Sequence, residues 1–169
     1  MPKTETMPER PRSPYAAAKL IGECYIGAYA ACYDIDAISL RYFNIFGPRQ
    51  NPHSPYSGVI AAFSKMILAG QNPKITGDGT ASRDFTFVHN AVHANLLAAR
   101  STKRLNGDVV NVGVGKRYTV LQLAESMLRL FNRPDLKPIL TPARPGDVPH
   151  SLADLSKTRA VLGYEPIVD

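Results

Sequence analysis

One stretch, residues 14–33 with the sequence PYAAAKLIGECYIGAYAACY, constrains the fold of this chain more than any other. Ser13-Pro14 places an N-cap before a proline at the first helical position, so a helix starts there. Its apolar residues Ala17, Leu20, Ile21, Cys24, Ile26, Ala28 and Ala31 are spread almost all the way round the helix. A helix of that kind is buried, either within the fold or against a partner. No strand precedes it, because residues 1–12 are rich in proline and charge and read as an extended lead-in. A buried helix with no strand before it predicts that the N-terminal half of a larger fold is missing.

The remaining sequence alternates strands and helices, which sets the class as α/β. Residues 37–46 carry Ile38, Leu40, Tyr42 and Phe43, end at Gly47-Pro48 and read as a central strand. After a polar loop at 51–57, Ser57 can cap a helix with Val59, Ile60, Phe63 and Ile67 on one face and Gly70 as its stop. Strands follow at 74–76 and 83–88, the latter alternating Phe85 and Phe87, then a helix at 90–100 and a strand at 109–112. Thr119-Val120-Leu121-Gln122 is a capping box opening a helix to about residue 131. Residues 137–141 read as a strand, and Asp154 caps a last helix that stops at Gly163.

A length of 169 residues with 44% hydrophobic and 20% charged side chains suits about one domain with its own core. No run approaches the ~18 apolar residues of a membrane span, and the opening Met1-Pro2-Lys3-Thr4-Glu5 lacks a signal peptide's apolar stretch. Cys24 and Cys32 lie eight positions apart in one helix, roughly 12 Å at about 1.5 Å per residue, whereas a disulfide needs Cα atoms within about 7 Å. They cannot pair with each other, and the expected compartment is a reducing cytoplasm. The net charge of +6 comes from 20 basic against 14 acidic residues, scattered over many elements. A nucleic-acid binder gathers such charge into a stripe, so no nucleic-acid partner and no membrane partner are expected. Scattered arginines can still reach a phosphorylated small molecule.

Tyr15 and Lys19 are the sharpest chemical pair. At i and i+4 they share a helix face, and an ammonium beside a phenol favours the phenolate, making tyrosine usable as a proton donor and acceptor. By itself the spacing reads as a chance pair, since a Tyr and a Lys four apart occur in many helices. His89 and His93 are also four apart, but no glutamate stands between them and no third ligand is apparent, so no metal is expected.

The segments Ser13-Pro14-Tyr15-Ala16-Ala17-Ala18-Lys19 and Leu40-Arg41-Tyr42-Phe43-Asn44-Ile45-Phe46-Gly47-Pro48-Arg49-Gln50 closely resemble the extended short-chain dehydrogenase/reductase family of nucleotide-sugar epimerases and dehydratases. The resemblance continues through Ser57-Gly58-Val59-Ile60, Gly77-Asp78-Gly79, Arg83-Asp84-Phe85, Arg144-Pro145-Gly146-Asp147, the stretch from Ser151 to Lys157, and Leu162-Gly163-Tyr164. It implies the C-terminal part of a Rossmann-type doubly wound fold plus a small substrate-binding domain. Residues 1–50 would close the dinucleotide-binding domain, and 51–169 would mainly bind the nucleotide-sugar while returning some Rossmann elements.

In that family the tyrosine is the acid/base that takes a sugar hydroxyl proton as hydride passes to NAD, a role that falls to Tyr15. Lys19 would assist it and hydrogen-bond the nicotinamide ribose, and Tyr42 and Phe43 would line the nicotinamide side. Asn44 would meet the diphosphate; Val59 and the strand from Ile75 would hold the nucleotide; Arg83 and Arg144 would pair with the diphosphate, with Asp147 toward the ribose. Read from the residues alone, Arg83-Asp84 is equally a local ion pair and Asn44 a turn hydrogen bond.

Three departures stand out. The family opens with a strand, a glycine loop and a helix that bind the pyrophosphate of NAD, and Gly77-Asp78-Gly79-Thr80-Ala81-Ser82 is not that loop. The family's third catalytic group, a Ser or Thr some two dozen residues before the tyrosine, would fall before Met1. His89-Asn90 stands where the family usually carries acidic residues.

The resemblance thus implies C4 epimerisation of a UDP-sugar through a 4-keto intermediate, by a chain incompetent alone and completed by a missing N-terminal half. A homodimer through the first helix is the other expected partner. Residues 47–59 and 151–154 look more like 4-epimerases than 4,6-dehydratases, and Arg83-Asp84 argues against UDP-glucuronate decarboxylases. The rival readings are a related dehydratase, a non-catalytic remnant that binds a nucleotide-sugar or only dimerises, and nucleic-acid binding, which predicts steep salt dependence.

Overall fold

The computed structural model describes residues 1–52, 58–143 and 147–169. In chain order the elements are α1 (Pro14–Tyr33), β1 (Ile38–Tyr42), β2 (Ile45–Phe46), α2 (Val59–Leu68), β3 (Lys74–Thr76), β4 (Ser82–Arg83), β5 (Thr86–Phe87), α3 (Val88–Ala99), β6 (Asp108–Val112), β7 (Tyr118–Thr119), α4 (Val120–Leu130), β8 (Ile139–Thr141) and α5 (Ser156–Leu162). Strands pair two by two: β1 with β6, β2 with β5 and β3 with β8 in parallel, and β4 with β7 antiparallel. Parallel pairs joined through helices are the α/β pattern that the alternation predicted. No described helix is long and apolar enough to cross a membrane.

Local signals placed most helix ends correctly. Ser13 accepts from the Ala16 N–H at 3.1 Å with proline at the first helical position. Thr119 and Gln122 close both bonds of their capping box. The Asp154 carboxylate accepts from the Ser156 N–H at 2.9 Å ahead of α5, which ends at Gly163 with φ +65°. Ser57 lies outside the described residues, and α2 opens after Gly58.

Two expected strands are each broken. The 37–46 strand ends its pairing with β6 at Phe43, whose N–H donates to Val112 O at 2.9 Å. Asn44 then takes φ +31°, its carbonyl accepts from the Thr86 N–H at 3.2 Å, and the chain continues as β2 against β5. The 83–88 strand divides into β4 and β5, and its buried side carries Ser82, Asp84 and Thr86 while Phe85 and Phe87 are half-buried. Apolar alternation picked the wrong face because the buried polar groups satisfy one another and the backbone there.

Two apolar clusters hold the chain together. Phe63 and Ile67 of α2 pack with Ile75 of β3 and Ala124, Met127 and Leu128 of α4. Ala94, Val112, Ala153, Leu155 and Tyr164 join α3, β6 and α5. By contrast, α1 buries none of its residues: Ile21 is 54% exposed, Tyr25 62%, Tyr29 51% and Tyr33 67%. The fold of this chain therefore does not supply the cover that its apolar circumference demands. What contact α1 does make is close, since a Cβ on Gly107 (φ +72°) would lie 2.9 Å from both Ala30 Cβ and Gly27 Cα. Cys24 and Cys32 on this helix are free and exposed.

Candidate active site

Because α1 leads into β1 through a short turn, its first residues lie beside the carboxyl end of that strand. Tyr15 and Lys19 of α1 and Tyr42 of β1 line one cleft of about 720 Å³. The Lys19 ammonium sits 5.4 Å from the centroid of the Tyr15 ring, the shared face that the i, i+4 spacing predicted. Tyr15 is 55% exposed. The Tyr42 hydroxyl accepts from Asn95 Nδ2 at 2.6 Å, fixing that ring from α3. Phe43 is half-buried against the Val112–Tyr164 cluster and does not line the cleft.

Arg41, between these tyrosines and the lead-in, is a residue the sequence reading did not single out. Its guanidinium holds both Glu23 carboxylate oxygens, with Nε at 2.7 Å from Oε2, and reaches Glu9 at 2.7 Å. The bond to Glu23 is the main cause that pushes its pKa above the ordinary arginine value. This clamp ties α1, β1 and the lead-in together next to Lys19. The visible signal was Glu23 itself, one further turn along the Tyr15–Lys19 face.

A second group of side chains gathers around β4. Arg83 is half-buried; its guanidinium donates to the carbonyls of Ser82 (2.9 Å) and Pro149 (3.2 Å) and forms no ion pair among the described residues. Desolvation lowers its pKa below the ordinary arginine value, opposed by the charge of Asp147. Ser82 Oγ and His150 Nδ1 are 2.8 Å apart and fix the 147–150 segment on β4. The Asp147 charge thus reaches Arg83 without forming an ion pair with it. Arg144 lies outside the described residues.

Asp84 is not the partner of Arg83. It is fully buried and accepts from the N–H groups of Val114 (2.9 Å), Gly115 (2.9 Å) and Ala153 (3.2 Å) and from the Thr86 hydroxyl (3.3 Å). Gly113 is required beside it, since a Cβ there would lie 2.7 Å from Asp84 Oδ2. Asn44 is exposed at the β1–β2 break, and Val59, the first residue of α2, packs on the Phe63–Ile67 cluster. Ile75 is 1% exposed, so only its backbone can face a ligand. His89 packs its ring 4.8 Å from Phe87, and His93 stacks 5.9 Å from Tyr164. Among the described residues no group of His, Cys, Asp or Glu is placed to hold a metal ion. Asn90 is fully buried; its amide donates to Val168 O at 2.6 Å and accepts from the N–H groups of Ile167 and Val168, a two-way bond that an ionised carboxylate at this position could not make.

The cleft offers a phenol, an ammonium and a second aromatic ring, a set that suits the ribose and nicotinamide end of a dinucleotide. No described element offers a strand, glycine loop and helix for its pyrophosphate. Comparison with known proteins places the chain among relatives of known family. Residues 1–113 match the model of the NAD dependent epimerase/dehydratase family. A UDP-glucose 4-epimerase of Mycolicibacterium smegmatis is 40% identical over 99% of this chain and 52% of its own length. The structure of a UDP-N-acetylglucosamine 4-epimerase from Methanobrevibacter ruminantium, in complex with UDP-N-acetylmuramic acid, superimposes with a TM-score of 0.91 at 41% identity, covering 98% of this chain and 52% of that one. A UDP-glucose 4-epimerase of Thermus thermophilus, solved with NAD, gives 0.86 at 33% identity, covering 100% of this chain and 54% of that one. The chain spans about half the length of the curated relatives it matches. On the extent of these matches, it belongs to the NAD dependent epimerase/dehydratase family.

Proposed function

We propose that this chain is the proton-transfer and substrate-binding half of an NAD-dependent epimerase acting at C4 of a UDP-sugar, either UDP-glucose/galactose or an N-acetylated form, and that it does not turn over substrate alone. The observation that carries the proposal is the meeting of Tyr15, Lys19 and Tyr42 in one cleft. Bound NAD supplies the hydride acceptor and donor. Tyr15 takes the proton of the sugar 4-hydroxyl through its phenolic oxygen and returns it once the 4-keto sugar has presented its other face. The Lys19 ammonium, over the Tyr15 ring, stabilises the phenolate during that exchange.

Arg83 is built to anchor the diphosphate. Its guanidinium is braced by two carbonyls and partly desolvated, and it has no carboxylate partner among the described residues. Such a group gains strongly from a phosphate, on which its fork makes paired charge-assisted bonds. Asp147 stands nearby for the ribose, while Asn44 and Val59 frame the approach. Arg144 adds a second diphosphate contact, and the backbone of Ile75 borders the nucleotide. The exposed apolar side of α1 supports a homodimer through that helix.

The test has two parts. Calorimetric titration with UDP-GlcNAc should show binding that Arg83→Gln weakens at least tenfold, about 1.4 kcal/mol. Absence of binding to the unmodified chain refutes the substrate assignment. UDP-GlcNAc to UDP-GalNAc conversion with added NAD should be undetectable for the chain alone. Turnover abolished by Tyr15→Phe would establish the epimerase and refute the claim of incompetence.

A further inference from the structure

Tyr15, Lys19 and Glu23 stand at successive four-residue intervals on α1, so all three share one face of the helix. At that spacing a lysine and a glutamate are within reach of one another. A Lys19–Glu23 pair would draw the ammonium away from Tyr15 and offset its charge. That pair is not made. The Lys19 ammonium enters no ion pair among the described residues and lies over the Tyr15 ring, 5.4 Å from its centroid. Glu23 instead gives both carboxylate oxygens to Arg41 of β1.

The chemistry of the competitors explains the outcome. A guanidinium presents two N–H groups in a fixed fork that matches a carboxylate, whereas an ammonium is a point charge. Both side chains of the Arg41–Glu23 pair are largely shielded from water, at 26% and 16% exposed, which strengthens their attraction. Bonding to Glu23 also raises the Arg41 pKa, so the guanidinium stays charged wherever a phenol titrates. Glu9, which lines a cleft of about 390 Å³ with Tyr15 and Lys19, is held by the same guanidinium at 2.7 Å. Of the other ionisable groups lining the two clefts, Arg10 is itself a cation and the Tyr42 hydroxyl is engaged by Asn95. Lys19 is thereby left to Tyr15 although two carboxylates stand beside it.

We infer that Arg41 is a positioning residue for Tyr15: by holding Glu23 it keeps that carboxylate off the Lys19 ammonium, whose charge then stays directed at the phenol. Arg41 acts through Glu23 and Lys19, not on the reacting atoms. This deepens the assignment of Tyr15 as the acid/base and rests on it.

Without Arg41, Glu23 is released to pair with Lys19, one helical turn back. A charge about 5 Å away changes the phenolate fraction by about threefold even at the dielectric of water. The experiment nitrates the chain with tetranitromethane, which attacks the phenolate, and follows each tyrosine by peptide mass spectrometry. In Arg41→Gln the Tyr15 rate should fall at least about threefold, while Tyr25 and Tyr29 on the same helix, 62% and 51% exposed, keep theirs. Glu23→Gln breaks the same clamp but removes the competitor, so Tyr15 should react no more slowly than in the unmodified chain. Arg41→Gln/Glu23→Gln should recover most of the loss. A clamp that merely held α1 on β1 gives the opposite, with Glu23→Gln and the double variant slowing Tyr15 as Arg41→Gln does. That result, or an unchanged Tyr15 rate in Arg41→Gln, overturns the inference, and Glu23→Gln alone carries the test should Arg41→Gln fail to fold. Carbodiimide coupling reads the contact itself: the Lys19–Glu23 amide should form in Arg41→Gln and not in the unmodified chain, and equal yields in both overturn the inference. UDP-GlcNAc binding to the unmodified chain is measured in parallel by calorimetry. Binding without the nitration pattern leaves the epimerase reading standing and sinks the role of Arg41; the pattern without binding does the reverse.

Discussion

Replacing Asp84 by asparagine removes a charge and almost no volume at a fully buried position. One carboxylate oxygen accepts from the Val114 N–H and the Thr86 hydroxyl, the other from the Gly115 and Ala153 N–H groups. An asparagine side chain has one oxygen and one NH2. Its better orientation keeps the Gly115 and Ala153 bonds and lets the Thr86 hydroxyl turn to accept, but sets the NH2 against the Val114 N–H. The position is fully buried, so that clash is not relieved by bulk solvent. A stranded buried donor costs about 1–3 kcal/mol, and the surviving bonds lose their charge assistance. The expected loss is about 3 kcal/mol, a large share of the 5–15 kcal/mol typical of a domain. Urea unfolding followed by far-ultraviolet circular dichroism should show the midpoint falling by about 1.5 M for an m-value near 2 kcal/mol/M. Asp84→Ala strands three N–H groups and should abolish the cooperative transition. A midpoint shift below about 0.5 M for Asp84→Asn would refute the dependence of this loop junction on the carboxylate.

Tyr164 donates to Gly113 O at 2.8 Å, and burial, with the charges of Asp84 and Glu165 adding to it, pushes its phenol up to about 12. An unfolded tyrosine titrates near 10, so the folded state favours the protonated form; this contribution is complete below pH ~10 and is lost as pH rises through ~12. Urea midpoints at pH ~9 and ~11 should therefore fall more for the unmodified chain than for Tyr164→Phe. Asn90→Asp replaces the donor to Val168 O with an oxygen facing that carbonyl, costing about 2 kcal/mol locally. Limited proteolysis should then release the last residues faster, and an unchanged rate would count against the clasp. Light scattering of the chain alone should report dimers or larger species, since α1 leaves its apolar side uncovered; a clean, stable monomer would contradict this.

Local signals carried most of what the sequence showed correctly. Caps at Ser13 and Thr119 and the stop at Gly163 depend on a few adjacent residues, so they are legible without tertiary knowledge. The β1–β2 break is different. Nothing in Tyr42-Phe43-Asn44-Ile45 announces that the strand changes partner, because the partners, β6 and β5, lie far away in the chain. Arg83-Asp84 stayed open between a local ion pair and a diphosphate-binding arginine for a related reason. Neighbours on a strand point to opposite faces, so one is turned toward ligand space while the other enters the core, and an ion pair between them is disfavoured. Pattern alone cannot say which face is which when the buried side is Ser82, Asp84 and Thr86. Tyr15 and Lys19 were legible because their relation is helical and local; Arg41 was missed because its partners, Glu9 and Glu23, come from two other segments.

These features converge on one end of the β1–β6 pair. In parallel α/β sheets, ligands sit beyond the carboxyl ends of the strands. Here the carboxyl end of β1 runs into Tyr42, Phe43 and the left-handed Asn44, and that of β6 into Gly113, Val114 and Gly115. The second loop is pinned from below by Asp84, whose neighbour Arg83 is turned outward by the same strand alternation. A single buried carboxylate thus fixes the loop after β6 and, through one residue of backbone, the guanidinium proposed to hold the diphosphate. The helix bearing Tyr15 is tied to the same strand by Arg41. The group proposed for proton transfer and the proposed anion anchor therefore each have a rigid support of their own. On the proposed reading, Arg83-dependent binding of a UDP-sugar should therefore survive in this chain by itself.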